Sequence, residues 1–223
     1  MLKAIIFDFD YTLSDRSFSI YNGFRSIVLK YFGDLDPMHQ EAIIQRMLYL
    51  DEEGTITRDH IIDFIASKYH IDKNALKEDF KDLSLKMAKD TALDEDALIV
   101  LDYLKNNTDY KLAILTNGII ESQRLKIKTV GIESYFERIV VSIESGYNKP
   151  DKRAFEYVAK ELGVTPCECL FVGDVMFNDL LGAYDAGMKY LLLNNHRKHY
   201  YASFIPKIEH LRELIDYLRR TDL

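Results

Sequence analysis

Four short stretches of this sequence hold side chains whose types could work together: Asp8-Phe9-Asp10-Tyr11-Thr12, Thr116-Asn117-Gly118, Lys149-Pro150, and Gly173-Asp174 followed by Asn178-Asp179. Carboxylates gathered at one place repel one another, so a cation or a lysine has to compensate them. A ligand set made of oxygen alone, with no His or Cys, points to Mg²⁺. This hard ion is usually held by one or two carboxylates, with waters and a substrate phosphate completing its shell. Lys149 supplies a fixed positive charge for the same cluster.

The elements that must position these residues can be read from the apolar pattern. Runs at Lys3–Phe7, Lys111–Leu115, Arg138–Val141, Cys169–Val172 and Lys189–Leu193 read as strands buried on both faces, as in a parallel sheet. Helix-period segments alternate with them at Asp94–Asn107, Glu121–Val130, Pro150–Leu162 and Asn178–Ala186. Pro150 is expected in the first turn of its helix and Gly163 as a left-handed cap, with Gly131 and Gly187 ending their helices similarly. Beyond the carboxyl ends of parallel strands, loops and helix N-termini converge. The four polar stretches are therefore expected to meet at one sheet edge.

From about Ser17 to Lys89 the alternation stops and the pattern is helical throughout, at Ile20–Phe32, Pro37–Leu50, Arg58–His70 and Lys73–Lys89. The fold class is thus α/β, a Rossmann-like parallel sheet core with helices on both faces and an inserted all-helical domain. The core is assigned to 1–16 and 91–223 and the insertion to 17–90. At the C-terminal end, Leu211, Leu214, Ile215 and Leu218 recur at helical spacing, which predicts a helix over His210–Arg220 packed on the sheet.

Composition narrows the partners. A formal charge of −7, with no Lys/Arg block, disfavours a nucleic-acid backbone as ligand. The apolar run Ala4–Phe7 is stopped by Asp8 before it reaches signal-peptide length, and no membrane-length apolar run occurs, so a cytoplasmic protein is expected. Cys167 and Cys169 lack the second half of a zinc site and read as two reduced thiols near a core strand. The six histidines lack metal-site spacing, and His196 and His199 are read as loop residues.

Taken in order, Asp8-x-Asp10-x-Thr12, Thr116, Lys149 and Gly173-Asp174 with Asp179 resemble the motifs of the haloacid dehalogenase superfamily, and the likeness spans most of the chain. The inserted helices resemble that family's helical cap. The resemblance implies Asp8 as the nucleophile forming an aspartyl-phosphate and Asp10 as general acid and base. It also implies Mg²⁺ held by Asp8, Asp174 and the main-chain carbonyl of Asp10. Thr116 and the backbone N–H of Asn117 are then expected to bind the phosphoryl oxygens, with Lys149 neutralising charge. Asp179 is expected to orient the Mg²⁺ waters and Lys149, and the Thr12 hydroxyl to fix the turn after Asp10. Tyr11 departs from the glycine common at that position, which leaves substrate size open.

The resulting expectation is a Mg²⁺-dependent phosphatase acting on a small phosphomonoester, such as a nucleotide or sugar phosphate, as a monomer or homodimer. Dehalogenation uses an aspartate nucleophile without Mg²⁺ or a second acid, and Asp10 argues against it. A phosphomutase is retained as a lesser alternative. Phosphonate hydrolysis would need a cap lysine that nothing singles out among candidates such as Lys30 and Lys68. A phospho-aspartate signalling module is about half this length and has no use for the insertion or Asp10. Within the insertion, Tyr21, Arg25 and Arg46 are candidates for substrate contact, though each reads equally well as an exposed or interhelical residue. Ser14, Asp94 and Asp151 are read as turn or cap residues.

Overall fold

The computed structural model describes residues 1–54, 57–195 and 200–220; His196 and His199 lie outside the described residues. Two compact units result, one of residues 1–15 and 92–223 and the other of 16–91. In chain order, β1 (Ala4–Phe7) and the two-residue β2 (Ser14–Asp15) lead into helices α1 (Ser17–Phe32), α2 (Pro37–Asp51), α3 (Asp59–Tyr69) and α4 (Lys73–Lys89). The chain returns through β3 (Ala92–Leu93), antiparallel to β2, and then runs α5 (Ala97–Asn107), β4 (Lys111–Thr116), α6 (Ile120–Thr129) and β5 (Arg138–Val141). It ends with α7 (Lys152–Glu161), β6 (Cys169–Gly173), α8 (Gly182–Asp185), β7 (Lys189–Leu193), β8 (Lys207–Ile208) and α9 (Glu213–Arg220).

Six strands form one sheet in the order β5-β4-β1-β6-β7-β8, every pair parallel. Alternate residues of the strands bury on opposite faces, as the pleat requires. Ile5, Phe7, Leu112, Ile114, Leu170 and Val172 pack with Val100, Leu104, Ile127 and Leu214, which lie on α5, α6 and α9. Ala4, Ile6, Ala113, Leu115 and Phe171 face the other way and pack with Phe155, Val158 and Ala183, on α7 and α8. Because helices cover both faces, the strands read as unbroken apolar runs rather than as alternating ones.

The helical unit has its own core, in which Ile20, Phe24 and Val28 of α1 meet Ile44 and Met47 of α2, Ile61 and Ile65 of α3, and Leu76, Phe80 and Leu83 of α4. Arg16 and Asp51 form a buried ion pair at 2.8 Å within this unit.

Several local expectations change. Pro150 is not in the first turn of α7. Lys149-Pro150 is a cis peptide in a turn, and Asp151 is the N-cap, its carboxylate accepting from the Arg153 N–H. The segment read as the helix Asn178–Ala186 is instead a π-helical turn, Met176–Leu181, followed by the four-residue α8. Residue 94 precedes α5 as a turn, its carboxylate accepting from Asp96 N, and the final helix begins at Glu213. Cys167 sits exposed in a 3₁₀ turn, and only Cys169 is on the strand, where burial pushes its thiol up to about 12. The short β2, β3 and β8 were not expected at all. Gly131, Gly163 and Gly187 do adopt left-handed φ, at 71°, 68° and 78°.

Gly182 lets α8 approach the start of α7. A Cβ built there would lie 2.3 Å from Cε2 of Phe155 and 2.7 Å from the carbonyl oxygen of Pro150. Both neighbours are fixed, one by the core and the other by backbone. Gly182→Ala is therefore expected to lower unfolding free energy by about 1–3 kcal/mol, read as a drop in urea midpoint at unchanged slope; an unchanged midpoint would contradict this packing.

Candidate active site

β1 is the middle of the site because β4 and β6 flank it directly. Phe7 is in register with Ile114 on one side and Val172 on the other, so the residues after Phe7, Thr116 and Gly173 share one sheet edge. The Asp8 N–H donates to Val172 O at 2.9 Å, continuing the ladder by one residue. The chain then turns around the carbonyl of Phe9, which accepts from the N–H groups of Thr12, Leu13 and Ser14 and from the Ser14 hydroxyl. Tyr11 takes φ 60° within this turn. The left-handed region costs an L-residue roughly 1–2 kcal/mol and glycine very little. The Thr12 hydroxyl does not fix the turn: it is buried without a hydrogen-bond partner among the described residues, and the Phe9 carbonyl does that work.

Lys149 is the charge at the centre of the cluster. Its buried ammonium donates to Asp8 Oδ1 and to Asp179 Oδ1, each at 2.7 Å, over the Phe171 ring at 5.4 Å. Burial works against this charge, but Asp179 and Asp8 outweigh it and hold the ammonium above its ordinary range. Asp8 is pushed up to about 7, first by burial and then by the nearby Asp179 and Asp10 carboxylates, with Lys149 pulling in the opposite direction.

The backbone of Lys149 is clamped by a side chain whose part in the site was expected to be a backbone one. Asn117 Nδ2 donates to Lys149 O and Asn117 Oδ1 accepts from Lys149 N, both at 3.0 Å. Ser142 donates to the same Oδ1 at 2.6 Å. Asp179 is held from the other side: its Oδ2 accepts from Val175 N at 2.9 Å. Glycine at 173 is what admits it, since a Cβ there would lie 2.6 Å from the Asp179 carboxyl carbon.

Asp8, Asp174 and Asp179 bring carboxylate oxygens within 4.8 Å of one another, all three buried. With all three ionised, the carboxylates exceed the Lys149 ammonium by two negative charges, which is the charge a divalent cation would balance. The donors are all hard oxygens, and the residues therefore fit Mg²⁺ in charge and in ligand type. Asp179, expected behind the ligands, is spatially part of this cluster.

Asp10 points to a different set of partners. Lys126 Nζ reaches its two oxygens at 2.9 and 2.7 Å, and Gln123 Nε2 donates to Oδ2 at 3.0 Å. The same Gln123 amide donates to Thr116 Oγ1 at 2.8 Å and to Asn117 O at 2.7 Å. Gln123 and Lys126 were missed in the sequence. Their signal was there to find: with Ile127 they sit at i, i+3 and i+4 on the buried face of α6, where an amide and an ammonium need partners.

In the helical unit the side chains considered for substrate contact or for phosphonate chemistry have neighbours of their own, the exposed Arg25 acting electrostatically on Glu41 and Tyr21. Tyr21 donates to Glu41, Arg46 lies over the Tyr49 and Phe64 rings, Lys30 pairs with Asp79, and Lys68 lies over the Phe64 and Tyr69 rings.

Residues 5–193 match the haloacid dehalogenase-like hydrolases. The chain belongs to this family. It is 29% identical over 203 residues, 87% of each chain, to the pyrimidine 5'-nucleotidase YjjG of Escherichia coli. It is also 29% identical over 205 residues, again 87% of each, to the glyceraldehyde 3-phosphate phosphatase of Methanothermobacter thermautotrophicus. A putative hydrolase of the same family, YfnB from Bacillus subtilis, solved with magnesium bound, superposes with TM-score 0.76 at 23% identity, over 97% of this chain and 98% of that one. The protein is thus a haloacid dehalogenase-like hydrolase, and among its described residues no helix is long and apolar enough to cross a membrane.

The raised Asp8 pKa has a thermodynamic consequence. Between the ordinary carboxylate range and about 7, the folded protein binds this proton and the unfolded chain does not, so Asp8 makes stability fall as pH rises through that window. In chelator, the unfolding free energy of Asp8→Asn minus that of wild type is expected to grow with pH up to about 7 and level off above it. A difference that is flat or shrinking across the window, measured by urea titration at several pH values, would contradict the assignment.

Proposed function

We propose that this hydrolase is a Mg²⁺-dependent phosphatase of a small phosphomonoester, with Asp8 as nucleophile. The observation that carries the reading is that two carboxylates two residues apart have different partners. Asp8 is held by the buried Lys149, and Asp10 by Lys126 and Gln123. Asp8 is gathered with Asp174 and Asp179, where a cation would hold it ionised for attack, while the Asp10 carboxylate is outside that cluster and is left to move protons. The second acid is what phosphoryl transfer needs and what attack on a carbon–halogen bond does not.

In the first half-reaction an Asp8 oxygen bonds to phosphorus, the ester P–O bond breaks, and the leaving oxygen takes a proton from Asp10. In the second, water gives a proton to Asp10 as its oxygen bonds to phosphorus, and the bond to Asp8 breaks to release phosphate. Lys149 offsets charge on Asp8 and on the phosphoryl oxygens, which Thr116 and the Asn117 N–H also bind. Asp179 keeps Lys149 in place. Mg²⁺, held by Asp8, Asp174 and the Asp10 carbonyl, would add neutralisation of the phosphoryl charge.

Residues 1–16 and 91–223 are the catalytic core in this reading, and the helical insertion 17–90 is the cap that selects substrate. The two relatives are named for a pyrimidine nucleotide and for glyceraldehyde 3-phosphate, which supports the phosphomonoester class without choosing within it. Phosphate release from nucleotide, sugar and aryl phosphates is expected to require Mg²⁺, to stop in chelator, and to be lost in Asp8→Asn. Full activity of Asp8→Asn, or release unaffected by chelator, would overturn the mechanism.

A further inference from the structure

We propose that α6 carries the positioning device for the acid/base of this site, with Lys126 and Gln123 holding the Asp10 carboxylate in its working orientation. The inference rests on the phosphatase reading and adds residues to it. Lys126 is one of very few buried ammonium groups among the described residues. Its side chain is 10% exposed and spans both Asp10 oxygens at 2.9 and 2.7 Å. A buried ammonium is costly unless paired. Here the cost is offset on a side chain 116 residues away in sequence, in the turn between β1 and β2.

Gln123 extends the arrangement to the phosphate-binding edge. Its amide nitrogen has two hydrogens and three acceptors within 3.0 Å: Asp10 Oδ2, Thr116 Oγ1 and Asn117 O. The reverse orientation of the amide would turn its oxygen toward the carboxylate and the carbonyl, so the donor assignment follows from the partners. One side chain thus sets the distance between the acid/base and the residue expected to hold a phosphoryl oxygen. Lys126, one turn further along the same helix face, closes on Asp10 from a second direction, and two directions are needed to fix a carboxylate plane.

The consequence differs between the two half-reactions. An aryl phosphate has a leaving group that departs without protonation, so its first half-reaction tolerates a misplaced Asp10. Its second half-reaction, in which Asp10 takes a proton from water, does not. An alkyl phosphate needs Asp10 in both. A variant that only loosened the fold would lose both substrates alike.

The experiment compares wild type, Lys126→Met and Gln123→Leu in Mg²⁺ with an aryl and an alkyl phosphate, with urea unfolding of each protein alongside. With the alkyl substrate, kcat is expected to fall by roughly 10²-fold or more. KM is expected to stay within about threefold of wild type, because the ground-state contacts remain. With the aryl substrate, both variants are expected to show a burst of about one equivalent of aryl alcohol followed by slow turnover, as phosphorylated enzyme accumulates. If Lys126→Met does not fold, Gln123→Leu decides. Kinetics close to wild type on both substrates, equal losses on both without a burst, or a change in KM alone would overturn the proposal while leaving the phosphatase reading intact. A wild-type enzyme that releases no phosphate in Mg²⁺ would overturn both.

Discussion

The buried ammonium of Lys149 is the tie on which this site depends. Lys149 lies between Asp8 and Asp179 at 2.7 Å from each, on a backbone clamped by Asn117 and over the face of Phe171. Stripping one partner from a buried ion pair costs about 3–5 kcal/mol, a large share of the ~5–15 kcal/mol that keeps a domain folded. Lys149 is therefore a structural tie, since the segments after β1 and β6 meet across it. It also sets the limit of what it can compensate: a third buried carboxylate, Asp174, joins the same cluster, and the excess negative charge suits a divalent ion.

The sheet order explains why so few residues suffice. β1 lies between β4 and β6, so the ends of three strands stand side by side, and each contributes one polar group at the point where its apolar run stops: Asp8, Thr116 and Asp174. That stop is visible in one dimension, because burial on both faces makes the strands unbroken apolar runs and the first polar residue marks the edge. The same logic made the α/β class, the helical insertion and the four polar stretches readable from pattern alone.

Part of what was not readable depends on contacts between residues distant in sequence. The side chain of Asn117 bonds the backbone of a residue 32 positions away, and Lys126 bonds one 116 positions away, and no periodicity reports such pairings. Pro150 was placed in a helix by a sound local preference, but the Asp151 carboxylate accepts from the Arg153 N–H as the N-cap and α7 starts at Lys152. The two-residue strands β2, β3 and β8 are too short to show a period. The helix expected after Asp174 became a π-helical turn, in which Val175 N–H donates to the Asp179 carboxylate. For Asn117 and Lys126 the deciding contact is tertiary, whereas for α7 and the π-helical turn it is a side-chain hydrogen bond only two or four residues away that overrode the plain helical tendency.

In the proposed mechanism Asp8 becomes covalently phosphorylated while Asp10 moves the protons. The most direct test is to mix the Asp10→Asn protein with an aryl phosphate in Mg²⁺, quench in acid, and map any phosphoryl group by peptide mass spectrometry. A phosphoryl adduct is expected on the peptide carrying Asp8, absent from the Asp8→Asn protein. No adduct under conditions where wild type turns over, or an adduct on another residue, would contradict it.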